Sequence, residues 1–233
     1  MIRKLPFTIE PSLLAADLSR LSDEVESAVA SGIDAMHLDI MDGHFVRNLG
    51  FGPQMVAAIN RLTDLPLDVH LMIYNPYDYI ERFVEAGADS ITIHFEATED
   101  VEETLKYIRS CNVRAGLAFN PDTSEGMIPK YLYLCDLILL MTVHPGFGGQ
   151  GFITEVLDKI RFTREICDRL HIKKGGVVTE GGEGDPFVIQ VDGGINLETA
   201  RLCYAAGANN FVMGTYLFHA PNMAERVAEL RDL

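Results

Sequence analysis

Basic residues are scarce in this chain of 233 residues. Its 19 lysines and arginines stand against 34 aspartates and glutamates, so the formal net charge at pH 7 is −15. Because nucleic acids and anionic membranes are bound through basic surfaces, we expect neither as a main partner. A small phosphorylated ligand remains compatible with this charge, since backbone N–H groups can bind an anion locally.

Cysteine pairs and long apolar runs are also missing. The four cysteines are far apart in sequence and form no Cys-x-x-Cys pair, which is typical of reduced thiols in a cytosolic protein. No apolar run approaches the ~18 residues of a membrane-spanning helix, and the amino terminus lacks the apolar core of a secretory signal. We therefore expect a cytoplasmic protein without a membrane segment.

Short apolar runs alternate with amphipathic segments along the chain. The expected strands are 7–10, 34–40, 66–72, 89–94, 113–119, 136–142, 187–192 and 209–213. The expected helices lie at about 18–31, 53–62, 77–86, 99–111, 124–132, 154–170, 196–206 and 222–232. Eight strand–helix pairs with apolar strands indicate a parallel sheet covered by helices. We expect an α/β fold with residues 1–233 in one (β/α)8 TIM barrel, and a doubly wound open sheet is the alternative.

A glycine-rich segment, residues 173–186, interrupts this alternation. It has no periodicity and lacks the Gly-Lys-Ser/Thr ending of a P-loop. We expect a flexible surface loop between the sixth helix and the seventh strand. The alternatives are a lid and an oligomer contact.

Polar residues end several of the expected strands. His37 and Asp39 are two residues apart and share a face of one strand, and we expect His70 and Asp192 to end neighbouring strands. A lone strand histidine can equally be a core residue, but four such residues at carboxyl ends predict a His2Asp2 metal centre. One divalent ion per subunit is expected, zinc or iron(II) first and manganese or cobalt as alternatives. The two aspartates could also transfer protons.

Glycine-rich segments follow the last three strands. They are 145–151, 192–196 and 213–215. Such segments let backbone N–H groups approach an anion, and phosphate is commonly bound after the seventh and eighth strands of a barrel. We therefore expect a phosphate-binding site there.

Lysine is absent from the expected strand ends. The six lysines are Lys4, Lys106, Lys130, Lys159, Lys173 and Lys174. Schiff-base aldolases need a desolvated amine in the active site, so that chemistry loses support. The second strand carries His-Leu-Asp-Ile-Met-Asp rather than the Asp-x-Lys-x-x-Asp array of a phosphate-binding barrel decarboxylase.

Three methionines and a serine lie near the same strand ends. Met41, Met72 and Met141 are either core filling or an apolar cap that excludes water from the reacting carbons. Ser12 is expected as a polar neighbour of the site, with a helix-cap role as the alternative.

These residues resemble the ribulose-phosphate 3-epimerase family. The similarity runs from Ile9 to about Phe218 through EPSLLAADL, HLDIMDGHFVRNLGFGP, LDVHLM, ITIHFEA, MTVHPGFGGQGF and IQVDGGIN. It implies a metal-dependent barrel that interconverts D-ribulose 5-phosphate and D-xylulose 5-phosphate in the pentose phosphate pathway, and a homo-oligomer. A related enzyme acting on D-allulose 6-phosphate is the alternative.

The resemblance also implies roles for individual residues. His37, Asp39, His70 and Asp192 correspond to metal ligands, with Asp39 and Asp192 as the acid/base pair. The residues implied in substrate or phosphate binding are Ser12, His70, Gly146, Phe147, Gly148, Gly149, Gly193, Gly194, Gly214 and Thr215. This chain departs from the family pattern at Arg47, His144 and Thr215, and segment 173–186 is longer than usual.

Overall fold

Eight parallel strands form a barrel in the computed structural model, which describes residues 6–233. The barrel strands are β1 (Thr8–Pro11), β2 (Met36–Met41), β3 (Leu67–Met72), β4 (Ser90–His94), β5 (Arg114–Phe119), β6 (Leu137–Met141), β9 (Val188–Asp192) and β10 (Asn210–Met213). Two short strands, β7 (Ile172–Lys173) and β8 (Val177–Val178), pair separately.

The hydrogen-bonded strand order is β1-β10-β9-β6-β5-β4-β3-β2. A parallel bridge between Ser12 and His37 joins the two ends of this sheet, so the barrel is nearly closed. The predicted TIM barrel is confirmed. The open-sheet alternative is wrong, because β1 and β2 lie side by side rather than at opposite edges.

Helices cover the outside of the barrel. They are α1 (Leu21–Ala30), α2 (Pro53–Asn60), α3 (Ile80–Glu85), α4 (Val101–Ser110), α5 (Val156–Arg169), α6 (Leu197–Ala206), α7 (Thr215–Phe218) and α8 (Met223–Arg231). The helix expected at 124–132 is instead a 3-10 turn, Glu125–Lys130, that contains Pro129. Proline cannot donate a backbone hydrogen bond, which explains why an α-helix does not extend through this segment. Among residues 6–233, no helix is both long and apolar enough to cross a membrane.

The barrel lumen has an apolar half and a polar half. On β5 and β6, Ala118, Leu137, Leu139 and Met141 form a small buried cluster, whereas Ile138 and Leu140 belong to the large core under the helices. The alternation follows from the two-residue period of a strand. The other strands turn buried polar side chains into the lumen: Glu10, His37, Asp39, Asp68, His70, Ser90, Thr92, His94, Gln190 and Asn210.

The glycine-rich segment 173–186 contains the β7–β8 hairpin and two 3-10 turns, at Lys174–Gly176 and Glu180–Gly182. These short elements give the segment a defined backbone, and its flexibility as a surface loop stays a prediction. The segment connects α5 to the amino end of β9, so it lies at the amino-terminal end of the barrel. Lys174, Gly175 and Asp185 line a cavity of about 440 Å³ there, together with Glu10. A lid over the carboxyl-terminal face is excluded by this position.

Candidate active site

Strand register brings β2 and β3 side chains together at three successive levels of the lumen. His37 pairs with Asp68, Asp39 with His70, and Met41 with Met72. Residues two apart on a strand share a face, so all six side chains project into the barrel. The two methionines lie nearest to the carboxyl-terminal mouth, and the polar groups lie below them.

Asp192 reaches the same place from across the lumen. The sequence predicted that His70 and Asp192 end neighbouring strands, but β3 and β9 are separated by three strands in either direction around the barrel. Only Asp192 is the last residue of its strand, whereas His37 is the second residue of β2. Barrel strands tilt and are staggered, so residues at different strand positions can reach one level.

Four side chains offer ligand atoms that all lie within 4.8 Å of one another: His37, Asp39, His70 and Asp192. The Nε2 atom of His37 lies 3.5 Å from Asp39 Oδ1, and His70 Nδ1 lies 3.1 Å from the same oxygen. His70 Nδ1 is also 3.7 Å from Asp192 Oδ2. Atoms bound tetrahedrally to one ion at ~2.1 Å are about 3.4 Å apart, so these distances suit one transition-metal ion.

An unpartnered buried atom supports the same conclusion. His37 Nε2 is buried without a hydrogen-bond partner among the described residues, and such an atom is costly unless something binds it. The other ring nitrogen, Nδ1, lies 2.8 Å from Asp68 Oδ2. Asp68 also accepts hydrogen bonds from Ser90 and Gln190, which hold the carboxylate in place. The donor set and this arrangement fit a divalent ion.

The sequence reasoning gave Asp68 no role. Its position two residues before His70 indicated the same strand face, but the contact with His37 crosses between strands and depends on register.

The two aspartates differ in their electrostatic surroundings. Burial acts to raise the pKa of Asp39, but the charges and hydrogen bonds of His37 and His70 outweigh it and hold this pKa below its ordinary value. For Asp192, burial and then the charge of Asp39 raise the pKa to about 7. In the metal-free protein one carboxyl group is therefore ionised while the other can hold a proton near neutral pH.

A cavity of about 820 Å³ opens above these groups at the carboxyl-terminal face. Its lining includes the following residues predicted from the sequence: Ser12, Asp39, Met41, Met72, Met141, Gly146, Phe147, Gly148, Gly149, Asp192, Gly193, Gly194, Gly214 and Thr215. His37 and His70 are completely buried beneath it. Asn48, Asn196, Tyr216 and His219 also line the cavity; the first two belong to sequence motifs that gave them no individual role, and no motif contained the other two.

The glycine-rich loops form one wall of this cavity. Gly194 has φ +65°, and an added Cβ would lie 3.0 Å from the backbone nitrogen of Phe152. Glycine is therefore required where the loop after β9 crosses the loop after β6. On the other side, Asn48 Nδ2 donates to the carbonyl oxygen of Gly146 at 2.8 Å, which ties the loop after β2 to the glycine loop.

Ser12 and the methionines lie where the sequence placed them. The Ser12 hydroxyl donates to Asp39 Oδ2 at 2.6 Å, and its oxygen accepts from the Leu14 N–H, so it also caps a 3-10 turn. Met41 and Met72 pack together with Val46, and all three methionines are buried. They therefore contribute both to packing and to the apolar surface of the cavity.

Two of the departures from the family pattern do not line this cavity. Arg47 is exposed, and His144 faces Asp122 at 3.7 Å on the surface. Thr215 lines the cavity and keeps a hydroxyl group. Among residues 6–233, none of the five lysines belongs to a barrel strand, and Lys4 lies outside the described residues.

Comparison with known proteins gives consistent relatives. A family model described as "Ribulose-phosphate 3 epimerase family" matches residues 8–218. A ribulose-phosphate 3-epimerase of Chlamydia pneumoniae is 49% identical over 216 residues, covering 93% of this chain and 90% of that protein. One from Bacillus subtilis (strain 168) is 42% identical over 223 residues, covering 96% and 97%.

Solved structures show the same fold at low sequence identity. The crystal structure of KGPDC from Streptococcus mutans has a TM-score of 0.68 at 16% identity, covering 98% of this chain and 96% of that chain. At this identity the likeness concerns the barrel alone.

Proposed function

Because the chain belongs to the ribulose-phosphate 3-epimerase family, we propose that it interconverts D-ribulose 5-phosphate and D-xylulose 5-phosphate in a metal-dependent reaction. The observation that carries this proposal is the convergence of two histidines and two aspartates beneath the large cavity. That cavity, of about 820 Å³, has room for a sugar phosphate. Because the protein is acidic overall, the phosphate would be bound locally by backbone N–H groups.

His37, Asp39, His70 and Asp192 would hold the metal ion. When bound, the ion supplies Lewis-acid stabilisation of the negative charge that develops on the substrate. Two nitrogen and two oxygen ligands suit iron(II) or zinc, with manganese or cobalt as alternatives. The unpartnered Nε2 of His37 supports this assignment.

Asp39 and Asp192 are the proposed proton-transfer groups. Epimerisation at C3 removes a proton from one face and adds one to the other. The C3–H bond breaks and one carboxylate takes the proton. The electron pair forms the C2–C3 double bond of a cis-enediolate while the C2 carbonyl oxygen takes up the negative charge, and the carbonyl reforms when C3 is protonated again. The other carboxyl group then gives its proton to the opposite face of C3. Asp39 extends from β2 and Asp192 from β9 across the lumen, which supports their acting on opposite faces.

Other cavity residues are proposed to orient the substrate. The backbone of Gly146 to Gly149, Gly193–Gly194 and Gly214–Thr215 would bind the phosphate and so supply binding energy remote from C3. Ser12 holds Asp39 through its hydroxyl donation and would meet the substrate, as would His70. Met41, Met72 and Met141 would exclude water from the enediolate.

Activity on two substrates tests this proposal. We expect the purified protein, loaded with iron(II) or zinc, to convert D-ribulose 5-phosphate with a kcat/KM at least tenfold above that for D-allulose 6-phosphate. Exhaustive chelation should abolish the activity, and added metal should restore it. A higher kcat/KM for the six-carbon substrate would assign the alternative epimerase activity. Full activity in metal-depleted protein would refute the metal dependence.

Family membership also supports a homo-oligomer in the cytoplasm. Size-exclusion chromatography with light scattering should give a mass of two or more chains of 25.8 kDa. A mass of one chain at micromolar concentration would contradict the oligomer.

A further inference from the structure

His94, the last residue of β4, is completely buried and has no part in the proposed chemistry. Its Nε2 atom lies 2.8 Å from His70 Nε2, and the two ring planes are inclined by 24° with centroids 4.9 Å apart, so the rings meet edge to edge. On the other side, His94 Nδ1 lies 3.3 Å from Glu96 Oε2. A chain of contacts therefore runs from the metal cluster through two imidazoles to a carboxylate.

Hydrogen-bond chemistry fixes the protons along this chain. Two ring nitrogens at 2.8 Å need one donor and one acceptor. His70 turns Nδ1 toward Asp39 and Asp192, so Nδ1 is the nitrogen that a metal would bind, and metal binding requires the tautomer in which Nδ1 is unprotonated rather than the one in which it donates to Asp39 Oδ1 at 3.1 Å. His70 Nε2 therefore carries the proton and donates to His94 Nε2. His94 in turn carries its proton on Nδ1, which donates to Glu96.

The carboxylate at the end of the chain is itself fixed. Glu96 Oε1 accepts from the Asn120 N–H at 2.9 Å and from the Thr123 hydroxyl. The loop 120–123 is held in turn by Lys159 of α5. Its ammonium group donates to the carbonyl oxygens of Asn120, Pro121 and Thr123 at 2.8, 2.9 and 2.6 Å.

The two proposed histidine ligands present different nitrogens. His37 presents Nε2 because Asp68 contacts its Nδ1, whereas His70 presents Nδ1 and is contacted through Nε2. Each histidine therefore needs its own partner to select the correct tautomer, and Asp68 cannot serve both.

We propose that His94 and Glu96 are positioning residues that hold His70 as the Nε2–H tautomer, so that Nδ1 is free to bind the metal. This inference rests on the proposed metal centre. Partners of this kind change metal affinity by about 10- to 100-fold in other proteins. Turnover then depends on them only through the metal and the geometry of His70.

The test compares His94→Phe, which keeps the aromatic ring but removes the acceptor, with His94→Gln, which keeps an acceptor oxygen. Zinc affinity is measured by competition with a chelator, and the His70 tautomer is read from 15N NMR of the imidazole nitrogens in metal-free protein. We expect His94→Phe to weaken zinc binding by 10- to 100-fold and to give His70 a substantial Nδ1–H population. His94→Gln should stay within about fivefold of the wild type.

Glu96→Ala provides a second route should His94→Phe fail to fold, and we expect it to weaken zinc binding in the same direction. His144→Phe, the same substitution at an exposed site, should leave affinity and tautomer unchanged. Wild-type zinc affinity and an Nε2–H His70 in folded His94→Phe or Glu96→Ala would overturn the inference, while the proposed function would stand. A wild-type protein that binds no zinc, iron(II), manganese or cobalt would overturn both.

Discussion

Asp39 and Asp192 reach one small volume from two strands that are not neighbours, β2 and β9, yet their surroundings are unequal. Asp39 is contacted by Ser12, His37 and His70, whereas Asp192 lies closer to the cavity, with 15% of its side chain exposed. At neutral pH in the metal-free protein, Asp39 is therefore ionised, whereas Asp192 is close to its pKa of about 7. Two groups with separated pKa values are suited to acid and base roles.

Replacing Asp192 by asparagine keeps its shape and removes its ability to carry the transferred proton. We expect Asp192→Asn to lower kcat by about 10²- to 10⁴-fold while the circular dichroism spectrum and Tm stay close to those of the wild type. Asp122→Asn, the same change at an exposed residue, is the matched control and should retain kcat. A near-wild-type kcat in Asp192→Asn would contradict the two-base scheme.

A second prediction at the scale of single residues concerns Glu10. It is buried at the lower end of the lumen, where Asn210 and Gln190 donate to its carboxylate oxygens. Burial and then the negative charge of Asp68 raise the pKa of Glu10 to about 8. Between the unfolded-state value of 4.5 and 8, the folded protein keeps a proton that the unfolded chain has lost. The free energy of unfolding therefore falls as pH rises through this window.

We expect Glu10→Gln to remove this decline. Between about pH 5 and pH 8, Glu10 should lower the wild-type free energy of unfolding by up to about 1.4 kcal/mol per pH unit. The variant lacks this decline, so its free energy of unfolding should rise relative to that of the wild type by the same amount. Urea unfolding at several pH values measures it. Glu26→Gln on the exposed face of α1 serves as control. A constant difference across this range would mean that Glu10 is ionised in the folded protein.

Some of these residues could be predicted from the sequence and some could not. The spacing of His37 and Asp39 is local, so the period of a strand predicted their common face. Which nitrogen each histidine presents depends on Asp68 and His94, which come from adjacent strands. That information lies in the strand register and is absent from any short motif.

At the scale of elements, the loops after β6 and β9 depend on each other. An alanine at position 194 would place its Cβ 3.0 Å from Phe152 N and 3.1 Å from Gln150 O, and φ is +65°. Backbone atoms cannot rotate away as a side chain would, so the loops must shift.

We expect Gly194→Ala to raise KM for the phosphorylated substrate about tenfold or more with a smaller change in kcat, because the distorted wall is proposed to bind the phosphate. The left-handed conformation should also cost about 1 to 2 kcal/mol of stability. Gly151→Ala is the matched control, since its added Cβ meets nothing within 4 Å and its φ is not positive. Unchanged KM in Gly194→Ala would place the phosphate elsewhere.

Backbone constraints explain two elements whose structure periodicity does not describe. Residues 124–132 carry apolar positions at helical spacing, yet Pro129 prevents an α-helix. Residues 173–186 lack periodicity, yet glycines at positive φ allow two tight turns and a hairpin. In both cases backbone constraints at one or two residues decide the structure, and periodicity does not report them.

At the scale of the whole molecule, the two ends of the barrel carry different structural features. Eight apolar runs at regular spacing made the barrel predictable, whereas the stagger that brings β9 level with β2 was not, because it arises only when the sheet closes. The candidate active site lies at the carboxyl-terminal end, and segment 173–186 lies at the other. Arg109 joins this segment to the barrel by donating to the carbonyl oxygen of Gly175.

Removing most of that segment should therefore leave catalysis intact. The amide of Lys174 donates to the carbonyl oxygen of Asp185 at 3.0 Å, so its two ends are close enough for a short connection. We expect a variant with residues 177–184 replaced by two glycines to keep kcat/KM within about twofold, with a lower Tm as the main effect. A tenfold loss of kcat/KM in folded variant protein would show that the segment influences the distant site.

The most direct measurement of the central claim is NMR of D-ribulose 5-phosphate turned over by the metal-loaded protein in D2O. A two-base proton transfer predicts D-xylulose 5-phosphate that carries deuterium at C3 from the first turnover, because the second carboxyl group delivers a solvent-derived proton. Deuterium exchange into D-ribulose 5-phosphate without epimer would mean that only one carboxylate acts. D-xylulose 5-phosphate that retains its original hydrogen at C3, or no reaction with metal bound, would contradict the account.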